Sequence, residues 1–455
     1  MNKIRGLLLL IWLLPSAGMG QSPHTDWFAD ARLGIFIHWG IYAVDGTSES
    51  WSFHNRETSY AQYMSQLQRF DAARFNPDVW ANLIAESGAR YAVLTTQHHD
   101  GVALWNTKQR TPSSQKGLWN PQKPLSTVHQ SPAARDLVTP FVQAIRSKNI
   151  RFGAYYSLLD WSHDDYPGFL KDSTRYKIAN DSLRWNRFLQ YMHAQVEELS
   201  VQFKPDLFWF DGDWEHSENE WQAAKVRALC EKGNPQVLLN GRLKTYGDYD
   251  TPEQNMPVTR PASKVWELCM TINNNWGYRP SDTNWKTPDE VIRIYTEVLG
   301  MGGNLLLDIG PRADGTIPAE AEQVLKALGR WNRKHAEAVY GTREGLPYGH
   351  YHGSSTLSKD STALYLFIPS VKGGNQEGKF QVMLKGIRNQ VVKCEVLGTS
   401  EPIQVKTVGK ISWSTVPGTL FMDVPLAGMD EHMTVLKLQL DGPLGLYSGK
   451  GGFAD

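Results

Sequence analysis

Between Leu33 and Gly341 short apolar runs alternate with amphipathic helical patterns, and this alternation restricts the fold more than any other feature of the chain. Leu33–Trp39, Tyr91–Thr96, Arg151–Ser157, Leu207–Phe210, Val237–Asn240, Lys264–Leu268 and Asn304–Ile309 read as strands. Between them Pro77–Ser87 (with Asn76 as its cap), Thr139–Lys148, Ser182–Phe203 and a stretch ending near Leu299 read as helices, and Pro318–Tyr340 closes the series. Thr287-Pro288-Asp289-Glu290 combines an N-cap, a first-turn proline and a capping-box glutamate. A strand followed by a helix and another strand pairs in parallel through a right-handed crossover. About seven such units over about 300 residues predict a (β/α)8-like TIM barrel rather than an open sheet. No Gly-x-Gly-x-x-Gly follows the first strand, which speaks against an open dinucleotide-binding sheet.

After Gly341 the pattern changes to short strands separated by Gly, Pro, Asn and Asp: Ala363–Pro369, Lys379–Leu384, Gln390–Leu397, Ile403–Val408, Leu420–Val424 and Thr434–Leu440. That spacing predicts a C-terminal antiparallel β-sandwich. The expected organisation is a barrel domain over 21–343 and a sandwich over 344–455, with the boundary near Thr342–Gly349. The polar stretch Lys108–Arg135 reads as a long loop.

The first 20 residues read as a signal peptide. Lys3 and Arg5 precede the apolar run Leu7–Leu14, and Ser16–Gly20 is small and turn-prone. The run is short of the roughly 20 residues that span a bilayer. A secreted or periplasmic protein is therefore expected, without a membrane anchor. Lys plus Arg and Asp plus Glu both number 47, so there is no basic excess to hold nucleic acid. Three widely spaced cysteines, Cys230, Cys269 and Cys394, suit buried thiols better than a disulfide framework or a zinc site. The 17 Trp and 18 Tyr suit both an ordinary core and the C–H face of a sugar.

In a parallel barrel the chemistry sits at the C-terminal strand ends. Those ends read His38-Trp39-Gly40, Gln97-His98-His99-Asp100-Gly101, Tyr155-Tyr156-Ser157, Trp209-Phe210-Asp211-Gly212-Asp213-Trp214, Asn240-Gly241-Arg242 and Trp266-Glu267. Period-two alternation puts Leu207, Trp209 and Asp211 on one face and Phe208 and Phe210 on the other. The two Phe suit the helix-covered outside, so Trp209 and Asp211 point to the axis. Glycoside cleavage needs one carboxylate against the anomeric carbon and one to move a proton. Asp211 is the expected first; Asp213 and Asp100 compete for that role. For the second, Glu253 in the Tyr249–Glu253 loop and Glu267 at a strand end both qualify, Glu267 also reading as a buried partner of an Arg or His. His98 and His99 are adjacent on a strand and point to opposite faces, so no shared metal is expected.

With these residues in hand the chain resembles the α-L-fucosidases of glycoside hydrolase family 29. The resemblance is carried by Trp27–Gly40 (WFADARLGIFIHWG), His98-His99-Asp100-Gly101, Tyr155-Tyr156-Ser157, Trp209-Phe210-Asp211-Gly212, Trp266-Glu267-Leu268-Cys269 and Gly303–Pro311, and it covers about Trp27 to Tyr340. It implies a retaining mechanism on a fucosylated glycan, through a covalent fucosyl–enzyme on Asp211, with neither metal nor cofactor. Thr251-Pro252-Glu253 resembles the family's Thr-x-Glu loop, which favours Glu253 as acid/base, with Glu267 in reserve. The implied sugar pocket comprises His38, Glu49, Trp51, His98, His99, Tyr156, Trp209, Arg242 and Trp276. Gln97 departs from the Lys that precedes the paired histidines in many relatives. A non-catalytic fucose-binding barrel and a galactosidase are the alternative expectations; an apolar pocket for C6 would favour fucose over galactose.

Overall fold

The parallel strands are β1 (Leu33–Ile37), β2 (Tyr91–Gln97), β3 (Arg151–Ser157), β4 (Leu207–Asp211), β5 (Leu238–Leu239), β6 (Glu267–Thr271) and β7 (Asn304–Ile309). They form one curled sheet in the order β5–β4–β3–β2–β1–β7–β6, each neighbouring pair parallel. These relationships come from a computed structural model that describes residues 24–447 apart from 115, 116, 264, 371–377 and 400, together with 449. The expected signal peptide and Lys264 lie outside the described residues.

The ring closes between β5 and β6 through an irregular segment, 248–254. Asp248 N–H donates to Leu239 O at 2.7 Å on one side. On the other, Glu267 and Cys269 N–H donate to Asp250 and Pro252 carbonyls at 2.9 and 3.1 Å, and Gln254 N–H returns to Cys269 O at 2.9 Å. Pro252 has no N–H to give, so the segment bridges both neighbours without becoming a regular strand. Glu253 therefore belongs to the barrel wall.

Strands covered on both faces read as continuous apolar runs, and here the two faces build two cores. Ile35, Ile37, Leu94, Phe152, Ala154, Phe208 and Phe210 face the helices. Phe36, Tyr91, Val93, Tyr155, Leu207, Trp209 and Leu306 fill the barrel. Gly34 lets the inner layer close, since a Cβ there would meet the Tyr91 ring at 2.3 Å. Helix Asp26–Ala31 plugs the N-terminal end, with Phe28 packed on the Tyr91 and Tyr249 rings at 5.5 and 4.5 Å. Each such large buried ring contributes roughly 1.5–3 kcal/mol.

Helices Pro77–Ser87, Val138–Ser147, Ser182–Phe203, Ala223–Gly233, Pro288–Gly300 and Ala319–Lys334 surround the sheet. Asn76 caps the first through Asp78 and Val79 N–H, and Thr287 and Glu290 form the expected capping box. Helix Ala223–Gly233 was not expected from the sequence, the strand expected over Ile403–Val408 shortens to Val405–Val408, and two further elements differ. The strand expected over Lys264–Leu268 runs over Glu267–Thr271, because Glu267 pairs with Asn304 at the start of β7 while Trp266 is held sideways by its Nε1–H to Met301 O at 3.3 Å. The closing helix breaks at His335 (φ −115°, ψ 22°), giving Ala319–Lys334 and Ala336–Val339.

The remaining strands are β8 (Arg343–Glu344), β9 (Ser355–Leu357), β10 (Ala363–Pro369), β11 (Lys379–Leu384), β12 (Val391–Val396), β13 (Glu401–Pro402), β14 (Val405–Val408), β15 (Thr419–Pro425) and β16 (Met433–Leu440). They make two antiparallel sheets, β13–β12–β16–β10–β9–β8 and β11–β15–β14. Alternation in β10 again separates two cores: Leu364, Leu366 and Ile368 face the smaller sheet, whereas Ala363, Tyr365 and Phe367 face the barrel helices. Trp331 Nε1–H donates to Met433 O at 2.8 Å across that junction.

Candidate active site

β4 delivers Asp211 to the mouth of the barrel on the face that also carries Trp209. Gly212 follows with φ +91°, a left-handed conformation that turns the chain sharply out of the strand. Asp211 lines a cavity of about 140 Å³ with Phe36, His38, Tyr155 and Trp209 deep inside and Trp51, Trp214, Arg242, Glu253 and the partly buried Trp276 around them. That is smaller than the roughly 300–1,000 Å³ of drug-sized clefts and suits a single sugar ring.

Charge in the cavity is organised by Arg242. Its Nη1 donates to Asp211 Oδ1 at 2.8 Å and its Nη2 to Glu253 Oε2 at 2.5 Å. The guanidinium lies 4.5 Å from the Trp209 ring centroid. Burial opposes the guanidinium charge, but the Asp211 and Glu253 carboxylates outweigh it and raise its basicity. The other Asp211 oxygen accepts the Tyr155 hydroxyl at 2.9 Å. His99 Nε2 stands 3.7 Å from that same oxygen and has no hydrogen-bond partner among the described residues.

The histidines are held neutral. Burial, with His98 nearby, pushes His38 well below its ordinary pKa. Burial also pushes Asp308 well above the usual carboxyl range. Their 2.7 Å contact through His38 Nδ1 orients the imidazole. Burial, followed by neighbouring His54, His38 and Arg242, pushes His99 down to about 3. Its Nδ1 is 2.6 Å from Ser157 Oγ. His98 is buried behind the wall, with Nδ1 2.7 Å from Ser50 Oγ and its ring stacked on Tyr155 at 5.7 Å.

Besides His98, three expected site residues lie off the cavity. Tyr156 points to the helix-covered outside and donates its hydroxyl to Gln195 Oε1 at 2.8 Å. It pairs with outward Phe210, whereas Tyr155 pairs with inward Trp209. Tyr155 is thus the pocket tyrosine, and the alternation along β3 and β4 contains the signal. Glu267 is wholly buried beneath Trp209, accepting its Nε1–H at 3.1 Å and also the Tyr91 hydroxyl. Burial pushes it up to about 7, and it has no path to a substrate, so it is not a reserve proton donor. Glu49 is off the cavity too. It accepts Gly277 N–H at 2.6 Å and so pins the loop that carries Trp276 into the pocket. Phe36, Tyr155 and Trp214 are cavity residues absent from the expected set; Trp214 had no periodic signal because it follows the strand.

The sequence profile of the family described as Alpha-L-fucosidase matches residues 15–337. The chain is similar to tissue alpha-L-fucosidase of Rattus norvegicus, 30% identical over 381 residues that cover 74% of this chain and 77% of that one. It is 32% identical over 360 residues to tissue alpha-L-fucosidase of Bos taurus, covering 71% and 70%. Among solved structures it resembles alpha-L-fucosidase isoenzyme 1 from Paenibacillus thiaminolyticus, with TM-score 0.77, 29% identity, and 92% and 99% of the two chains covered. It also resembles a GH29 alpha-L-fucosidase from Bacteroides thetaiotaomicron trapped as a covalent intermediate with 2-fluoro-fucosyl fluoride, with TM-score 0.77, 26% identity, and 93% and 97% covered.

Proposed function

The chain belongs to the α-L-fucosidase family, and from that premise we propose that it removes terminal α-L-fucose from glycans with Asp211 as nucleophile and Glu253 as acid/base. It is a retaining glycoside hydrolase of the double-displacement type. Asp211 attacks the anomeric carbon while Glu253 gives a proton to the departing oxygen. Water, deprotonated by Glu253, then cleaves the ester.

The observation that carries the assignment is the guanidinium of Arg242 joined to both carboxylates at the opening of one sugar-sized cavity. Two carboxylates this close repel each other, and the cation between them keeps both in the site. Glu253 is engaged by Arg242 here, so its proton transfer requires it to swing to the glycosidic oxygen once a sugar enters; its side chain is 40% exposed and free to do so. Phe36, Trp209 and Trp276 supply an apolar floor for the methyl group that distinguishes fucose from galactose. Neutral His38 and His99 supply hydroxyl donors or acceptors without adding charge beside the cationic transition state.

Azide rescue with an aryl α-L-fucoside tests both roles. Asp211→Ala should lose at least about 10³-fold in kcat, and azide, entering the space of the missing carboxylate, should give β-fucosyl azide. Glu253→Ala should instead accumulate the ester, which azide opens to α-fucosyl azide. Near-normal turnover of Asp211→Ala would overturn the assignment.

Export across a membrane is part of the same reading, supported by the Lys3, Arg5 and Leu7–Leu14 pattern. Among the described residues no helix is long and apolar enough to cross a membrane. The mass of the mature chain tests it: cleavage near Gln21 is expected, and an intact N-terminus would refute it.

A further inference from the structure

The cavity has a gradient of exposure. Phe36, His38, Tyr155 and Trp209 at its base are buried. Glu253 has a side chain 40% exposed, and Trp214 is 50% exposed. In an exo-acting site the non-reducing sugar occupies the closed end, and the leaving group emerges past the proton donor. The exposed indole at that opening is Trp214.

Single exposed aromatic residues are common and need no explanation by themselves. This one is presented by a turn fastened on both sides. Trp221 Nε1–H donates to Asp213 O at 3.0 Å, and Lys244 Nζ lies 3.6 Å from Asp213 Oδ2. On the other side the Tyr166 hydroxyl donates to Glu215. Inwards, the Trp214 ring lies nearly parallel to Trp51, at 6.4 Å and 18°, and edge-on to His99, also at 6.4 Å. The fold gains little from an indole half in water, yet it fastens the turn that presents it at the opening of the cavity.

We propose that Trp214 is the platform for the leaving group, stacking under the apolar face of the pyranose to which fucose is attached. The inference rests on the fucosidase reading and adds a determinant of specificity to it. A flat aromatic face recognises the C–H face of a sugar ring and leaves the linkage oxygen open to Glu253. Trp51 continues the same wall down to the fucose itself.

The test compares two substrates that share fucose and differ in leaving group. α-L-Fucosyl fluoride has nothing to stack, and a fucosylated oligosaccharide has a pyranose. Trp214→Ala should lower kcat/KM on the oligosaccharide roughly tenfold, mainly through KM, since half an aromatic face is removed from the contact. Fluoride release should fall severalfold less than oligosaccharide hydrolysis does. Trp214→Phe, which keeps a ring, should recover most of the loss. Trp214→Gln, which keeps length without a ring, repeats the test if the alanine variant disturbs the turn. Equal losses on both substrates would place Trp214 in the fucose pocket and overturn the proposal, as would no loss on either. Absence of fluoride release by the wild-type protein would instead overturn the fucosidase reading beneath it.

Discussion

The Tyr155 hydroxyl donates to Asp211 Oδ2 across 2.9 Å, while its neighbour Tyr156 faces the opposite side of the sheet. Adjacent residues of one strand thus do different work. Removing the hydroxyl in Tyr155→Phe deprives Asp211, the proposed nucleophile, of one of its two side-chain donors. A hydrogen bond to a charged group is worth about 1.5–3 kcal/mol, so kcat should fall about 10- to 100-fold. Tyr156→Phe should leave kcat unchanged and cost about 1 kcal/mol of stability. Steady-state kinetics and denaturant melts on the pair check this directly.

The turn after Asp211 depends on the absence of a side chain. A Cβ at Gly212 would lie 2.3 Å from Leu159 Cγ, at φ +91°. Gly212→Ala should destabilise by about 2–4 kcal/mol from strain and overpacking together. It should also displace Asp211, so activity falls even at temperatures where the variant remains folded. A thermal melt alongside an activity assay separates the two effects.

Glu49 accepts the Gly277 N–H and is not among the residues lining the cavity. Glu49→Ala should free the loop that carries Trp276, raising KM severalfold with a smaller change in kcat. Glu49→Gln keeps an acceptor for the Gly277 N–H and should restore KM. A kcat loss equal to that of Asp211→Ala would contradict the placement.

Buried titratable groups bound the pH range of stability from both sides. Glu267, bonded to Tyr91 and Trp209, is raised by burial to about 7 from 4.5. A raised folded-state pKa means the native state holds the proton more tightly than the unfolded state. That stabilisation is complete below pH 4.5 and is lost as pH rises through about 7. His99 is lowered by burial to about 3 from 6.5, so its contribution is complete above pH 6.5 and is lost as pH falls through about 3. Glu267→Gln should therefore flatten the alkaline limb of melting temperature against pH. Relative to wild type it should gain on the order of 3 kcal/mol between pH 4.5 and pH 8. An unchanged limb would show that Glu267 does not titrate there.

Much of the architecture was legible because each strand carries its own period. Arg151–Ser157 and Asn304–Ile309, with the capped helices Pro77–Ser87 and Pro288–Gly300, lie where their local patterns put them. The strand near Trp266 was misplaced because its register is set by β7 and the Trp266–Met301 bond, which no local pattern contains. The helix break at His335 was likewise hidden, since no Gly or Pro stands between Arg330 and Val339 to mark it.

By itself the sequence determined the alternation of layers and the inward face of β4, because side-chain direction along a strand follows from covalent geometry. Only the tertiary structure decided between Glu253 and Glu267 as the carboxylate facing Asp211. Glu267 opens β6 instead of ending it and so lies beneath Trp209, while ring closure through 248–254 turns Glu253 to the opening. Which rim residues meet depends on how separate strands are staggered around the closed barrel, a relation between distant segments that local periodicity does not carry.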